Sequence, residues 1–177
     1  MQLPPLGASG LVVFTPEPVT AHLEKWMRAY NPYHDQVAPH ITVAYRGFVS
    51  ANEWQTMRDQ FARTIGAFRP FDVTLRTTDT FDGEEFVLWL VPEDDGSLLR
   101  LRAELERQFP QYFPPEPYPY VPHLSIGFFD SLDELDQAQA TMRAEFTPLQ
   151  FRVDAVSFVV FGETEIWGNV DRLGLGR

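Results

Sequence analysis

The 177-residue chain has no cysteine, which excludes disulfide scaffolds, thiolate metal sites and cysteine nucleophiles together. Lysine is nearly missing as well: of 14 basic residues only Lys25 is a lysine, so guanidinium groups supply almost all the cationic chemistry. Positive charge is scarce overall, with 25 acidic residues and a net charge of −11. Affinity for long nucleic acid comes from phosphate neutralisation, so no extended nucleic-acid surface is expected. A short substrate in a locally positive cleft is still allowed. No apolar run reaches the ~20 residues of a membrane-spanning helix. The start, Met1-Gln2-Leu3-Pro4-Pro5, lacks the basic and apolar regions of a secretory signal. A cytoplasmic monomer with no membrane partner is the expectation. No Walker or Rossmann glycine pattern occurs, and no cofactor is expected.

Aromatic residues are plentiful. They make up 14% of the chain, with 15 phenylalanines, inside a hydrophobic share of 44%. That is ample for a packed core and too rich for disorder.

Along the chain, strand-like and helix-like patterns alternate. Residues 11–15 read as a buried strand ended by Pro16. Residues 17–30 carry Val19, Leu23, Trp26, Met27 and Tyr30 at helical spacing before Asn31-Pro32 stops them. A strand over 40–45 follows, then a helix over 51–64 with Ser50 as cap and Glu53 three positions on. Residues 71–75 read as a strand. The second half repeats this order: strand 85–91, helix 97–109 capped by Ser97, strand 121–129, helix 132–145 capped by Ser131, and strand 151–161. A last strand lies at 165–171. The class is α+β.

The two halves also share words. Phe14-Thr15-Pro16-Glu17 answers Leu90-Val91-Pro92-Glu93, and Pro39-His40-Ile41-Thr42-Val43 answers Pro122-His123-Leu124-Ser125-Ile126. Thr56-Met57-Arg58 answers Thr141-Met142-Arg143, and Phe71-Asp72-Val73 answers Phe151-Arg152-Val153. An offset that stays near 80 points to an internal duplication. One bilobal domain over 1–177 is expected, its lobes formed by repeats over about 11–80 and 85–161.

Only four histidines occur, His22, His34, His40 and His123, and two of them open the duplicated phrase. Residues two apart in a strand share a face, so His40 projects with Thr42, and His123 with Ser125, over apolar neighbours that enter the core. Hydroxyls donate to anionic oxygens without carrying charge, and imidazole gives or takes a proton near neutral pH. Two imidazoles on opposite sides of a phosphodiester can act as base and acid for in-line displacement. No metal is required, and two histidines without a third ligand fall short of a hydrolytic zinc site.

These motifs resemble the signature of the two-histidine (2H) phosphoesterases, and the strand–helix order resembles their 2′-5′ RNA ligase-like branch. The resemblance covers about Leu11 to Leu173, and its specific part is the pair of phrases at 39–43 and 122–126. It implies two pseudo-symmetric lobes of antiparallel sheet with flanking helices around a central cleft. It gives His40 and His123 the acid and base roles, and Thr42 and Ser125 the phosphate-binding roles. The implied substrate is a 2′,3′-cyclic phosphate of a nucleotide or RNA end, opened to a 2′-phosphate or joined reversibly in a 2′-5′ bond. Two other readings stay open: a module that binds a phosphorylated end without turnover, and a hydrolase of another cyclic phosphoester.

Further substrate contacts follow from position. Continued alternation from His40 places Arg46 on the catalytic face, where it could hold a phosphate oxygen. The same count places Phe129 for stacking on a base. Phe48 falls there too, although core packing is the commoner fate of phenylalanine. Tyr33, Tyr118 and Tyr120 sit in proline-rich segments ahead of the two motifs, and Tyr120 is the candidate substrate contact among them. The run from Phe113 to Tyr120 cannot be a helix and reads as a semi-rigid wall beside the second motif. His34 reads as a loop residue and His22 as structural.

Overall fold

The computed structural model describes residues 5–45, 48–83, 85–115, 118–162 and 167–176. Eight strands and four α-helices follow in the order β1 (Ser9–Phe14), α1 (Glu17–Tyr30), β2 (His40–Ala44), α2 (Ala51–Gly66), β3 (Phe71–Asp82), β4 (Phe86–Glu93), α3 (Ser97–Gln108), β5 (Leu124–Phe129), α4 (Leu132–Glu145), β6 (Leu149–Val153), β7 (Ala155–Phe161) and β8 (Trp167–Gly174). The strands form two four-stranded antiparallel sheets, one in the order β2-β1-β7-β8 and the other β5-β4-β3-β6. The last strand, expected over 165–171, is described from Trp167 to Gly174.

Local chemistry accounts for most element boundaries. Ser50 and Glu53 form a reciprocal capping box at the start of α2. Ser131 accepts from the Glu134 amide at the start of α4. Helix α3 departs from expectation, because Ser97 is its first residue and not its cap. Gly96 stands before it at φ +86°, a backbone state that suits glycine. Asp94 and Asp95 supply the acceptors, Asp94 for the Leu98 amide and Asp95 for the Ser97 amide.

The sheets do not follow the repeats. Strand β3, assigned by sequence to the first repeat, pairs with β4 and β6. The expected strand over 151–161 breaks at Asp154 into β6 and β7, which enter opposite sheets. The matched phrases Phe71-Asp72-Val73 and Phe151-Arg152-Val153 are therefore direct ladder partners, with Phe71 opposite Val153 and Val73 opposite Phe151. The helices cross over as well. Helices α1 and α4 pack on the β5-β4-β3-β6 sheet, and α2 and α3 on the β2-β1-β7-β8 sheet.

Under the first sheet the phenylalanine supply goes into a stack. Trp54 lies flat on Phe158, with centroids 3.9 Å apart, and Phe61 packs between Trp54 and Phe109 at 5.4 and 4.1 Å. Phe48 joins this cluster against Phe61 and Phe158, so it belongs to the core. Such pairs add about 0.5–1.5 kcal/mol each beyond their buried area.

Strand β5 is fixed from behind by α1. A Cβ at Gly127 would collide with the Cβ and carbonyl oxygen of Tyr30, so glycine here is what lets the end of α1 close on the strand. Gly127→Ala should destabilise the protein by roughly 1–3 kcal/mol, the usual cost of overpacking, read as a lower urea midpoint. An unchanged midpoint would show that α1 can retreat without cost.

Candidate active site

Strands β2 and β5 are the outermost strands of their sheets, and they lie against each other where the two sheets meet. Along β2, Ile41 and Val43 are fully buried while His40 and Thr42 are partly exposed. Along the second motif, Leu124 and Ile126 are fully buried while His123 and Ser125 are partly exposed. The alternation places both imidazoles and both hydroxyl residues on the faces opposite these core side chains.

The two imidazoles are held in the same way. Nδ1 of His40 donates to the carbonyl of Ala38, and Nδ1 of His123 to that of Val121, each at 2.8 Å. A carbonyl only accepts, so each Nδ1 carries the hydrogen and each Nε2 is left as the working nitrogen. The carbonyl lies two residues before the histidine in both cases, in an extended segment that ends in proline (Ala38-Pro39 and Val121-Pro122). Proline restricts the residue ahead of it to extended backbone, which suits this arrangement.

Burial lowers the proton affinity of both rings below the ordinary value, and the carbonyl bonds oppose it only in part. His40 is lowered further by His123, whose charge it feels.

The walls are aromatic and unequal. Phe14 meets the His40 ring edge-on at 6.1 Å. His123 is flanked by Phe81 at 5.1 Å and Trp89 at 5.9 Å, and these two stack on each other at 5.0 Å. Trp89 stands opposite Ser125 in the ladder, where Val12 stands opposite Thr42. The Trp89 indole N–H is buried and finds no acceptor among the described residues. Sequence reasoning did not single out Phe14, Phe81 or Trp89. They lie on other strands, and no local pattern shows which face of a strand meets the site.

A β-bulge falls on the last residue of each motif. Thr42 pairs with Val12 and Ala44 with Leu11, leaving Val43 as the extra residue. Ser125 pairs with Trp89 and Gly127 with Leu88, leaving Ile126 extra. A bulge shifts the alternation of all that follows. This overturns the placement of Phe129, which packs on Tyr30 of α1 at 5.7 Å and not beside His123. Arg46, placed by the same counting beyond Val43, lies outside the described residues. Tyr120 is near the site, but its hydroxyl donates to the Thr42 carbonyl at 2.8 Å and its ring lies over Arg102. These contacts brace β2.

The remaining candidates lie elsewhere. Tyr118 is 73% exposed. His34 bonds to the Asn31 carbonyl and Asp35 within its own loop, and His22 bonds back to Pro18 along α1. Among the described residues, no group of three His, Asp or Glu side chains could hold a metal ion.

The lowered histidines make stability depend on pH. Above about pH 6.5, folded and unfolded chains both hold neutral imidazoles, and this contribution is fully present. As pH falls through that value the unfolded chain takes up protons that the folded rings resist, so stability drops until the lower folded pKa values are reached. The urea midpoint should be lower at about pH 5.5 than at about pH 7.5, and the difference should shrink in His40→Asn/His123→Asn. An equal difference in the variant would show that these rings are not the source.

Residues 15–165 match the family model of the 2′-5′ RNA ligase superfamily. A protein of Halalkalibacterium halodurans named as a phosphoesterase is 21% identical over 168 residues, 95% of this chain and 97% of its own. An RNA 2′,3′-cyclic phosphodiesterase of Methanothermobacter thermautotrophicus is 28% identical over 91 residues, 50% of this chain and 49% of its own. Among solved structures, LigT of Escherichia coli superimposes with a TM-score of 0.69 at 16% identity, covering 97% of this chain and 98% of its own. With its two antiparallel sheets, four helices and paired histidine motifs, the chain belongs to the 2′-5′ RNA ligase superfamily of 2H phosphoesterases.

Proposed function

We propose that the protein opens 2′,3′-cyclic phosphates of nucleotides or RNA ends to 2′-phosphates without a metal ion. The observation that carries this reading is the matched pair of imidazoles, each with Nδ1 fixed on a carbonyl and Nε2 available, on adjoining edge strands. One neutral Nε2 takes a proton from water as the water oxygen attacks phosphorus. The bond from phosphorus to O3′ breaks in line, and the other imidazole, protonated, gives its Nε2 proton to O3′. The products are a 2′-phosphate and a 3′-hydroxyl, and proton exchange with solvent resets the pair. Thr42 and Ser125 hydroxyls donate to the non-bridging oxygens. A 5′-hydroxyl in place of water would give a 2′-5′ linkage by the same step, but water is far more abundant.

Charge favours a small substrate. Arg152 pairs with Asp72 and Arg172 with Asp154, so these guanidiniums are already offset by carboxylates. Neutral donors suit a cyclic phosphodiester, which carries one negative charge, better than a long polyanion. The RNA 2′,3′-cyclic phosphodiesterase among the relatives supports the reaction class. LigT has also been crystallised with 3′-AMP, a ligand of the size this reading needs.

The test is turnover of the four 2′,3′-cyclic nucleotides in excess EDTA, with product regiochemistry read by phosphorus NMR. His40→Ala and His123→Ala should each lose about 10²–10⁴-fold in turnover, and the double variant much less than the product of the two. The kcat/KM profile should be bell-shaped, with both limbs shifted to acid by the lowered imidazoles. The kcat profile should lie at higher pH, because a bound anion favours protonated histidine. Near-full rates in both single variants on every cyclic nucleotide would overturn the reading.

A further inference from the structure

Strand β2 lies at the edge of its sheet, and the bulge at Val43 disrupts its ladder with β1 directly after Thr42. The strand that carries half of the candidate site is therefore weakly held by its own sheet at the point where precision matters. Side chains from the second half of the chain make up the deficit. Tyr120 donates its hydroxyl to the Thr42 carbonyl, and Arg102 of α3 donates Nη1 to the Val43 carbonyl, both at 2.8 Å.

These two residues form one unit. The Arg102 guanidinium lies over the rings of Phe113 and Tyr120, at 4.6 and 5.0 Å, and its Nε donates to Glu106 at 2.6 Å. The Arg102 side chain is only 12% exposed, a setting in which cation–π attraction is strong. Phe113 and Tyr120 are the two ends of the proline-rich run, so one cation holds both ends of it. From Tyr120 the chain continues through Val121, whose carbonyl holds His123, to Pro122 and His123 itself. Tyr120 is thus bonded to the backbone of Thr42 and stands three residues before His123.

We propose that Tyr120, held by Arg102, is a positioning residue that sets Thr42 and His123 relative to each other across the site. The inference rests on the phosphoester-binding reading above. Neither residue is assigned to the reacting atoms. Burial pushes the Tyr120 phenol well above its ordinary pKa, which leaves it a hydrogen-bond donor and not a proton-transfer group. The second motif is supported differently, by Tyr30 packing onto Gly127 after the bulge at Ile126. The brace is therefore one-sided, and its loss should be felt at Thr42 and not at Ser125.

A double-mutant cycle tests this directly. Tyr120→Phe removes one oxygen and keeps the ring over Arg102. It is combined with Thr42→Ala and, separately, with Ser125→Ala. Turnover of 2′,3′-cyclic AMP and the Kd for inorganic phosphate, followed by NMR, are measured for each. Tyr120→Phe alone should lower kcat and weaken phosphate binding by roughly 3- to 10-fold, the value of one hydrogen bond. The loss should nearly vanish in the Thr42→Ala background and persist in the Ser125→Ala background.

Equal losses in both backgrounds, or no loss at all, would overturn the proposal, since a brace that only stabilises the fold would act independently of Thr42. If Tyr120→Phe does not fold, Arg102→Lys enters the same cycle, because lysine keeps the charge and loses the stacked fork. Wild-type protein that binds phosphate but turns over no cyclic nucleotide would remove the proposed reaction, and the phosphate cycle would still decide the brace. Wild-type protein that does neither would overturn both.

Discussion

The site depends on two edge strands being held side by side, and the exchange of strands between the halves of the chain is what holds them. Strand β3 leaves the first half to pair with β4, and β7 leaves the second to pair with β1. Helices α1 and α3 make the same exchange, each covering the sheet whose edge strand belongs to the other half. Neither sheet is complete without chain from both halves, so the two halves cannot separate without breaking ladder hydrogen bonds. The two histidine motifs, separated by 83 positions in sequence, are thereby placed on one rigid frame, which suits groups that must act on the same atom.

Much of this was legible in the sequence, and the failures have physical causes. The pairing of His40 with Thr42 and of His123 with Ser125 on one face rests on the strand period of two, which holds over so short a span. Element order, capping at Ser50 and Ser131, and the α+β class follow from periodicity and turn residues. The exchange of strands was hidden, because Phe71-Asp72-Val73 and Phe151-Arg152-Val153 look like equivalents in separate lobes, whereas matching residues in antiparallel register make equally good neighbours. Phe129 was misplaced because a β-bulge leaves no mark in composition: Val43 and Ile126 are ordinary β-branched residues in apolar runs. Gly127 was the available clue, since a glycine inside a strand often marks a bulge or a close approach, and here it marks both.

Electrostatics explain how an acidic chain can receive an anion. The net charge of −11 is partly offset within the surface itself, where Arg172 pairs with Asp154 and Arg152 with Asp72. The histidines, lowered by burial, present a largely neutral site to the solvent at neutral pH. An arriving phosphate supplies the charge that makes imidazolium favourable, so in the proposed reaction proton uptake and substrate binding reinforce each other. In that reaction a charge on His123 opposes one on His40, which favours one proton on the pair over two, the state that acid–base catalysis by a pair requires.

Duplication alone would make the two histidines interchangeable, and a reaction with distinct attacking and leaving groups needs them to differ. The difference lies in what surrounds the motifs. At the ladder position opposite the hydroxyl residue, Val12 on one side is answered by Trp89 on the other. Among the described residues, the His123 ring meets two aromatic side chains and the His40 ring one. The backbone beside Thr42 is gripped by Tyr120 and Arg102, while that beside Ser125 is packed against α1. Each difference arises from an element outside the motif, on a neighbouring strand, on α3 or in the proline-rich run. In the proposed reaction the paired motifs supply the acid–base chemistry, and its direction is set by the parts of the fold in which their surroundings differ.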